Sequence, residues 1–331
     1  MNKSQSIKKK VVVMGGGNGS AVSLNALKLH TDIFAISAVT SMVDDGYSTG
    51  AMRKKFGILP PGDIMRASVA MSTYPYSILK SIFYKNRPTG LKKLNAELDA
   101  ERCPSLGNLF LLFVSQYEGD FVSALRALEE AVEAVGHAYP STLEQSNLVV
   151  ALSNGQIITG EHAIDEPTHD RSLTITRAWL EPEVPAYHEA LQKIREADCI
   201  ILGPGDLYTS VIASLLPQGI REAMQISHAR LVYVVGNAYH TEGEASSQVL
   251  SGFISALESY LPRVLDRIVY NSAVLDEIQR ATYRERGWSL IDWDDACRGD
   301  ERIVAGDYEK SSGGLDSEKL GGILKELSSE C

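Results

Sequence analysis

Three short segments hold residues whose types and spacing could do chemistry. Gly15-Gly16-Gly17-Asn18-Gly19 directly follows an apolar run at 11–14. Its backbone N–H groups are unobstructed by side chains and feed a helix start, and both features favour an anion such as a phosphate. Gly203-Pro204-Gly205-Asp206-Leu207-Tyr208-Thr209-Ser210 repeats the logic after a second apolar run at 198–202. There, Thr209 or Ser210 could donate to phosphate or cap the helix. Asp44-Asp45-Gly46 ends a β-rich run at 32–40. Adjacent carboxylates at that place could hold Mg2+, bond a ribose hydroxyl or cap a turn. The expected ligand residues are Gly16, Gly17, Asn18, Gly19, Gly203, Gly205, Thr209 and Ser210, with Asp44 and Asp45 as the metal candidates.

Other chemistries find little support. The first turn is neither a dinucleotide fingerprint with its downstream acid nor a P-loop with its lysine. No histidine pair has metalloprotease spacing, and no G-x-S-x-G elbow is present. Ser105 and Asn108, in Ser105-Leu106-Gly107-Asn108, open an apolar helix and are either a cap or ligand donors. Asp63, after Pro60-Pro61-Gly62, reads as an N-cap and as a candidate general base. Tyr74, Tyr76 and Tyr84 are expected to pack helices.

The elements that must position these loops follow from periodicity. The fully apolar run at 11–14 and the runs at 198–202, 231–235 and 266–270 read as strands of a parallel sheet, buried on both faces. Helical patterns lie between them. The predicted fold is α/β and Rossmann-like, a mostly parallel sheet flanked by helices, with the ligand outside the carboxyl ends of the strands. Helical patterns dominate 63–135 and form one insert. Asn154-Gly155 between β-rich runs predicts a hairpin, and 172–179 a third strand of a small antiparallel insert at about 147–179. Residues 41–62 read as loop. The main domain is expected over 1–275, with 276–331 an extension packing on it and a closing helix at 318–328.

Composition bounds the partners. Of 331 residues, 42 are acidic and 32 basic, a net charge of −10; this argues against nucleic-acid binding, which needs a basic footprint. The basic run Lys8-Lys9-Lys10 reads as a solvated strand entrance. No apolar stretch approaches the ~18 residues of a membrane span, and the first ten residues lack a signal-peptide core. The four cysteines have no metal-site spacing and fit reduced thiols. Cytoplasmic localisation is therefore expected.

Taken together, the segments resemble the CofD/YvcK-like family. Its members carry the glycine-rich opening, Asp44-Asp45-Gly46, Leu59-Pro60-Pro61-Gly62-Asp63-Ile64, Ser105-Leu106-Gly107-Asn108-Leu109, Pro140-Ser141-Thr142 and the run from Leu202 to Ile212, in this order. The resemblance covers about residues 10–275. It implies one of two functions. A YvcK-like regulator binds a nucleotide diphosphate ligand of the UDP-sugar type and is linked to carbon metabolism or cell-envelope morphogenesis. A CofD-like transferase uses Mg2+ to move a 2-phospho-lactate-type group from a nucleotide-linked donor to a deazaflavin-like acceptor. A scaffold with a vestigial pocket is the third reading. The family also implies a homodimer. Tyr47, Met65, Pro104 and Asp206 depart from its pattern, and a carboxylate at 206 would repel a phosphate unless a cation intervened.

Overall fold

Aliphatic strands alternating with helices force a layered arrangement, because a strand apolar on both sides must be covered on both sides. The computed structural model describes residues 7–87, 96, 103–170, 172–236 and 238–329. In chain order it begins with β1 (Lys9–Gly15), α1 (Gly17–Lys28), β2 (Phe34–Thr40), α2 (Tyr47–Phe56), α3 (Gly62–Ala70) and α4 (Tyr76–Lys80). Then come α5 (Leu106–Glu118), α6 (Phe121–Ala131), β3 (His137–Pro140), β4 (Asn147–Leu152), β5 (Ile157–Thr159), α7 (Glu161–Asp165) and β6 (Ile175–Glu181). The remainder is α8 (His188–Glu196), β7 (Cys199–Leu202), α9 (Ile220–Ile226), β8 (Arg230–Val234), β9 (Ala238–His240), α10 (Leu250–Glu258), β10 (Arg267–Asn271), α11 (Glu277–Glu285), β11 (Trp288–Leu290), β12 (Ile303–Gly306) and α12 (Ser317–Ser329).

Seven strands make one parallel sheet in the order β12-β10-β8-β7-β1-β2-β3. The chain leaves β1 towards β2 and β3, then returns to β7 on the other side. The order therefore reverses between β1 and β7, where the two glycine-rich turns emerge side by side. Such a reversal opens a crevice at the strand ends. Along β1 the side chains alternate: Val12 and Met14 join one core, Val11 and Val13 the other. Helices α8, α9 and α10 cover the first face with the antiparallel sheet β5-β4-β6. The second face is covered by α1, α3, α5, α6 and α12. Helix α12 lies along α1: a Cβ on Gly321 would stand only 2.9 Å from the Ala26 carbonyl oxygen. Leu320, Leu324 and Leu327 share the core of Ala21, Leu24 and Leu27.

Three features depart from expectation. Residues 41–62, predicted as loop, contain α2. Gly50 sits inside this helix, where a Cβ would stand 1.9 Å from the Asp45 carbonyl oxygen, so its bareness permits the packing. Strand β3 ends in Pro140, which an edge strand tolerates. Strand β12 joins the main sheet as its other edge, so the sheet extends beyond residue 275. The expected hairpin and third strand are β4, β5 and β6. Part of the helical insert falls outside the described residues, as does Cys331; Cys103, Cys199 and Cys297 are buried free thiols. No described helix is long and apolar enough to cross a membrane.

Candidate functional site

Helix α1 begins at Gly17 with Gly16 as its N-cap, and no side chain caps it. The first-turn N–H groups of a helix have no partner within it, so here they face the crevice. Gly17 holds a left-handed φ of 61°, which a side chain would strain. Gly19 serves a different need: a Cβ there would lie 2.2 Å from the Pro204 carbonyl oxygen. Its bareness lets the turns after β1 and β7 touch. Ser23 fixes the contact by donating from Oγ to the Gly203 carbonyl at 2.8 Å.

This junction is the floor of a cleft of about 1970 Å³. Of the expected residues, Gly16, Gly17, Asn18, Gly19, Asp44, Asp63, Ser105, Asn108, Gly205 and Ser210 line it; Asp45, Gly203 and Thr209 do not. Ser105 is the N-cap of α5, accepting from the Asn108 amide, and Asn108 Oδ1 is buried without a partner.

The pairing of Asp44 with Asp45 is a correction. Successive side chains on extended backbone point to opposite sides. Asp45 Oδ1 accepts from the His162 amide at 2.9 Å and so docks α7. Asp44 lines the cleft with Asp63, whose charge acts on it, and its Oδ1 accepts from the Gly46 amide at 3.0 Å. A Cβ on Gly62 would stand 3.1 Å from Asp44 Oδ2, and one on Gly16 would stand 2.6 Å from Asp63 Oδ2. Asp63 lies in the first turn of α3 and is not its cap, which is Pro61. Its carboxylate accepts from Arg66 at 2.7 Å. Burial opposes the Arg66 charge, but Asp63 and Asp44 more than offset that and hold the guanidinium above its ordinary value. Arg53 positions the segment, donating to the carbonyls of Val43, Asp44 and Ser146 at 3.0, 3.1 and 2.8 Å.

These loops, in this order at the ends of these strands, match the family model described as 2-phospho-L-lactate transferase CofD over residues 11–306. The chain belongs to the CofD family. A putative gluconeogenesis factor of Thermotoga maritima is 32% identical over 86% of this chain and 86% of its own length. A gluconeogenesis factor of Halalkalibacterium halodurans is 33% identical over 86% of this chain and 84% of its own. A crystal structure of a Bacillus halodurans protein superposes with a TM-score of 0.83 at 28% identity, covering 96% of this chain and all of that one. A second, described as a member of the UPF0052 family, gives 0.83 at 27% identity.

In this CofD-family chain the turn after β7 is not the open anion site that its sequence suggests. The amides of Tyr208 and Thr209 both donate to the Glu244 carboxylate at 2.9 Å, and Thr209 Oγ1 adds a bond at 3.3 Å. The donors at that helix start are therefore taken up by an internal acid. Burial, then Asp206, pushes Glu244 up to about 8. Sequence reading also missed Glu161 and Asp165, on one side of α7 four residues apart. Tyr84 and Tyr76 pack into the helical core as expected, and with Tyr74 they also line the cleft.

The acids raise one another. Asp44 is pushed up to about 6 by burial and then by Asp63, with Arg66 opposing. Glu161 is held well above the carboxylate range by burial, then by Asp44 and Asp63. Asp206 is raised by burial with Asp63 adding to it, and Asp165 is raised to about 6 by burial and Asp206. A carboxyl with a raised folded-state value keeps its proton where the unfolded chain has released it. Its stabilising contribution is complete below the ordinary carboxylate range and is lost as pH rises through about 6. Asp44→Asn is therefore expected to raise the melting temperature by about 2 °C more near pH 7.5 than near pH 4.5. A thermal shift equal at both pH values would contradict the assignment.

Among the described residues, no group of three or more acids, histidines and cysteines is arranged to hold a metal by itself. Asp44 and Asp63 nonetheless suit Mg2+, which binds through one or two carboxylates and completes its shell with ligand phosphates and water.

Proposed function

We propose that the protein is a regulator that binds a nucleotide diphosphate of the UDP-sugar type and acts in carbon metabolism. The observation that carries this reading is the uncapped glycine turn at the sheet reversal, opening into a cleft with room for a nucleotide sugar. The diphosphate lies over the amides of Gly17, Asn18 and Gly19, and Ser210 adds a hydroxyl donor. The names of the gluconeogenesis-factor relatives support the metabolic role. Envelope morphogenesis, a cytoplasmic setting and a homodimer belong to the same proposal.

Calorimetric titration with UDP-N-acetylglucosamine and GDP, each with and without Mg2+, tests it. Metal-independent UDP-sugar binding is expected. Gly17→Val should weaken it at least tenfold, because the side chain blocks backbone approach and strains a left-handed residue. Unaltered affinity in a folded Gly17→Val protein would refute the phosphate cradle.

One observation favours a second reading, the CofD-like transferase: Asp44 and Asp63 both line the cleft beside the glycine turn, close enough for one charge to act on the other. There they would hold Mg2+, which neutralises charge on a transferred group. GDP binding that requires Mg2+ and weakens in Asp63→Asn would select it.

A further inference from the structure

Another wall of the cleft carries the opposite charge. Lys80 ends α4, Arg286 ends α11 and Lys310 follows β12; all three line the cleft. Three distant segments of an acidic chain thus deliver cations to one surface. None of the three forms a salt bridge with an acid among the described residues. Their supports are aromatic. The Lys80 ammonium stands 5.9 Å from the Tyr76 ring and 5.8 Å from the Tyr84 ring, and the Arg286 guanidinium lies 4.8 Å over Trp288. Such contacts stabilise a cation without neutralising it. Lys310 and Trp288 meet at Gly314, where a Cβ would stand 3.6 Å from Lys310 Nζ and 3.8 Å from the indole.

Lys310 is held there by design of its neighbours. The adjacent Glu309 is turned inwards, accepting from Asn271 Nδ2 at 2.7 Å, from the Tyr283 hydroxyl and from the Gly314 amide. The acid beside Lys310 thus makes its hydrogen bonds within the fold and acts on the ammonium only through its charge. The cations also act on one another. Burial lowers the Lys80 ammonium first, then Lys310, Lys85, Arg66 and Arg286; burial lowers Lys310, then Arg286, with Glu309 and Asp316 opposing. Assembling like charges in a half-buried wall is unfavourable until an anion joins them. Lys310 follows an edge strand four strands from β1, while Lys80 shares the Tyr84 ring with Arg66, which lies 5.6 Å from it on the side of Asp63 and the glycine turn.

We propose that Lys80, Arg286 and Lys310 form a second anion site, which takes a phosphate or carboxylate that the ligand carries outside its diphosphate. This rests on the nucleotide reading above. A cleft with two anion sites selects ligands that are anionic at two places and discriminates against their neutral-ended parents.

The test is calorimetric titration of the full chain with two ligand pairs: UDP-glucose against UDP-glucuronate, and GDP against guanosine 5′-diphosphate 3′-diphosphate. The first pair adds a carboxylate on the sugar side, the second a diphosphate on the ribose side. At least one anionic-ended ligand should bind tenfold or more tightly than its parent. The Lys80→Ala/Lys310→Ala protein should lose that gain while keeping the parent's affinity within about twofold, since cationic contacts of this kind each contribute modestly. No gain with either pair, or a gain that survives the double substitution, overturns the second site. If neither parent binds, the nucleotide reading fails, and inorganic pyrophosphate then probes the wall alone. Binding abolished by the double substitution would retain the anion site; binding that is absent or unchanged would overturn it.

Discussion

Gly19→Ala is expected to destabilise the fold by about 3 kcal/mol and to abolish nucleotide binding in whatever fraction remains folded. The added Cβ would stand 2.2 Å from the Pro204 carbonyl oxygen and 2.6 Å from Gly205 Cα. Both are backbone atoms and cannot rotate away, unlike a side chain. Relief requires the turns after β1 and β7 to separate, which breaks the Ser23–Gly203 bond and widens the crevice. Gly57→Ala is the control. Its Cβ meets nothing within 4 Å, and only a φ of 67° opposes it, so its cost is about 1 kcal/mol. Urea unfolding of the two variants should separate them clearly. Equal stabilities, or a Gly19→Ala protein with native affinity, would show that the close approach is not what holds the floor together.

Glu244→Ala is expected to cost about 2 kcal/mol and to create an anion site that the native protein lacks. The carboxyl receives the Tyr208 and Thr209 amides. Even when protonated it keeps an acceptor oxygen for them, so its raised value does not remove the contact. Deleting it leaves buried donors unpaired at a helix start, which binds anions readily. Sulfate or phosphate should therefore raise the melting temperature of Glu244→Ala more than that of the native protein. Equal salt responses would argue that Glu244 only fills space.

Much of this architecture was legible in the sequence because its signals are local. An apolar run followed by glycines and then helical periodicity specifies a strand, a turn and a helix without distant information. Three features were not local. Asp44 and Asp45 are chemically identical in the sequence, and only the side each occupies on an extended segment separates ligand-facing from structural. Glu244 lies 35 residues from Thr209 in an irregular loop, so nothing near 209 shows that its helix start is already satisfied. At Gly50 the sequence shows the missing side chain but not the carbonyl pressed against it. The edge strands β3 and β12 were missed for a related reason: short edge strands need less apolar surface than central ones. The cations at 80, 286 and 310 carry no shared motif, and the fold alone assembles them.

The packing of α12 along α1 has a consequence for the order in which the molecule is made. The helix that presents the glycine turn is synthesised early, yet part of its apolar covering comes from Leu320, Leu324 and Leu327. Nearly 300 residues separate the two helices, and contacts of such long sequence separation form late. A growing chain thus carries β1 and α1 with an uncovered greasy flank until residues 317–329 have been translated. The nascent protein should therefore engage holding chaperones through its first helix, and release should coincide with synthesis of the helix that covers it.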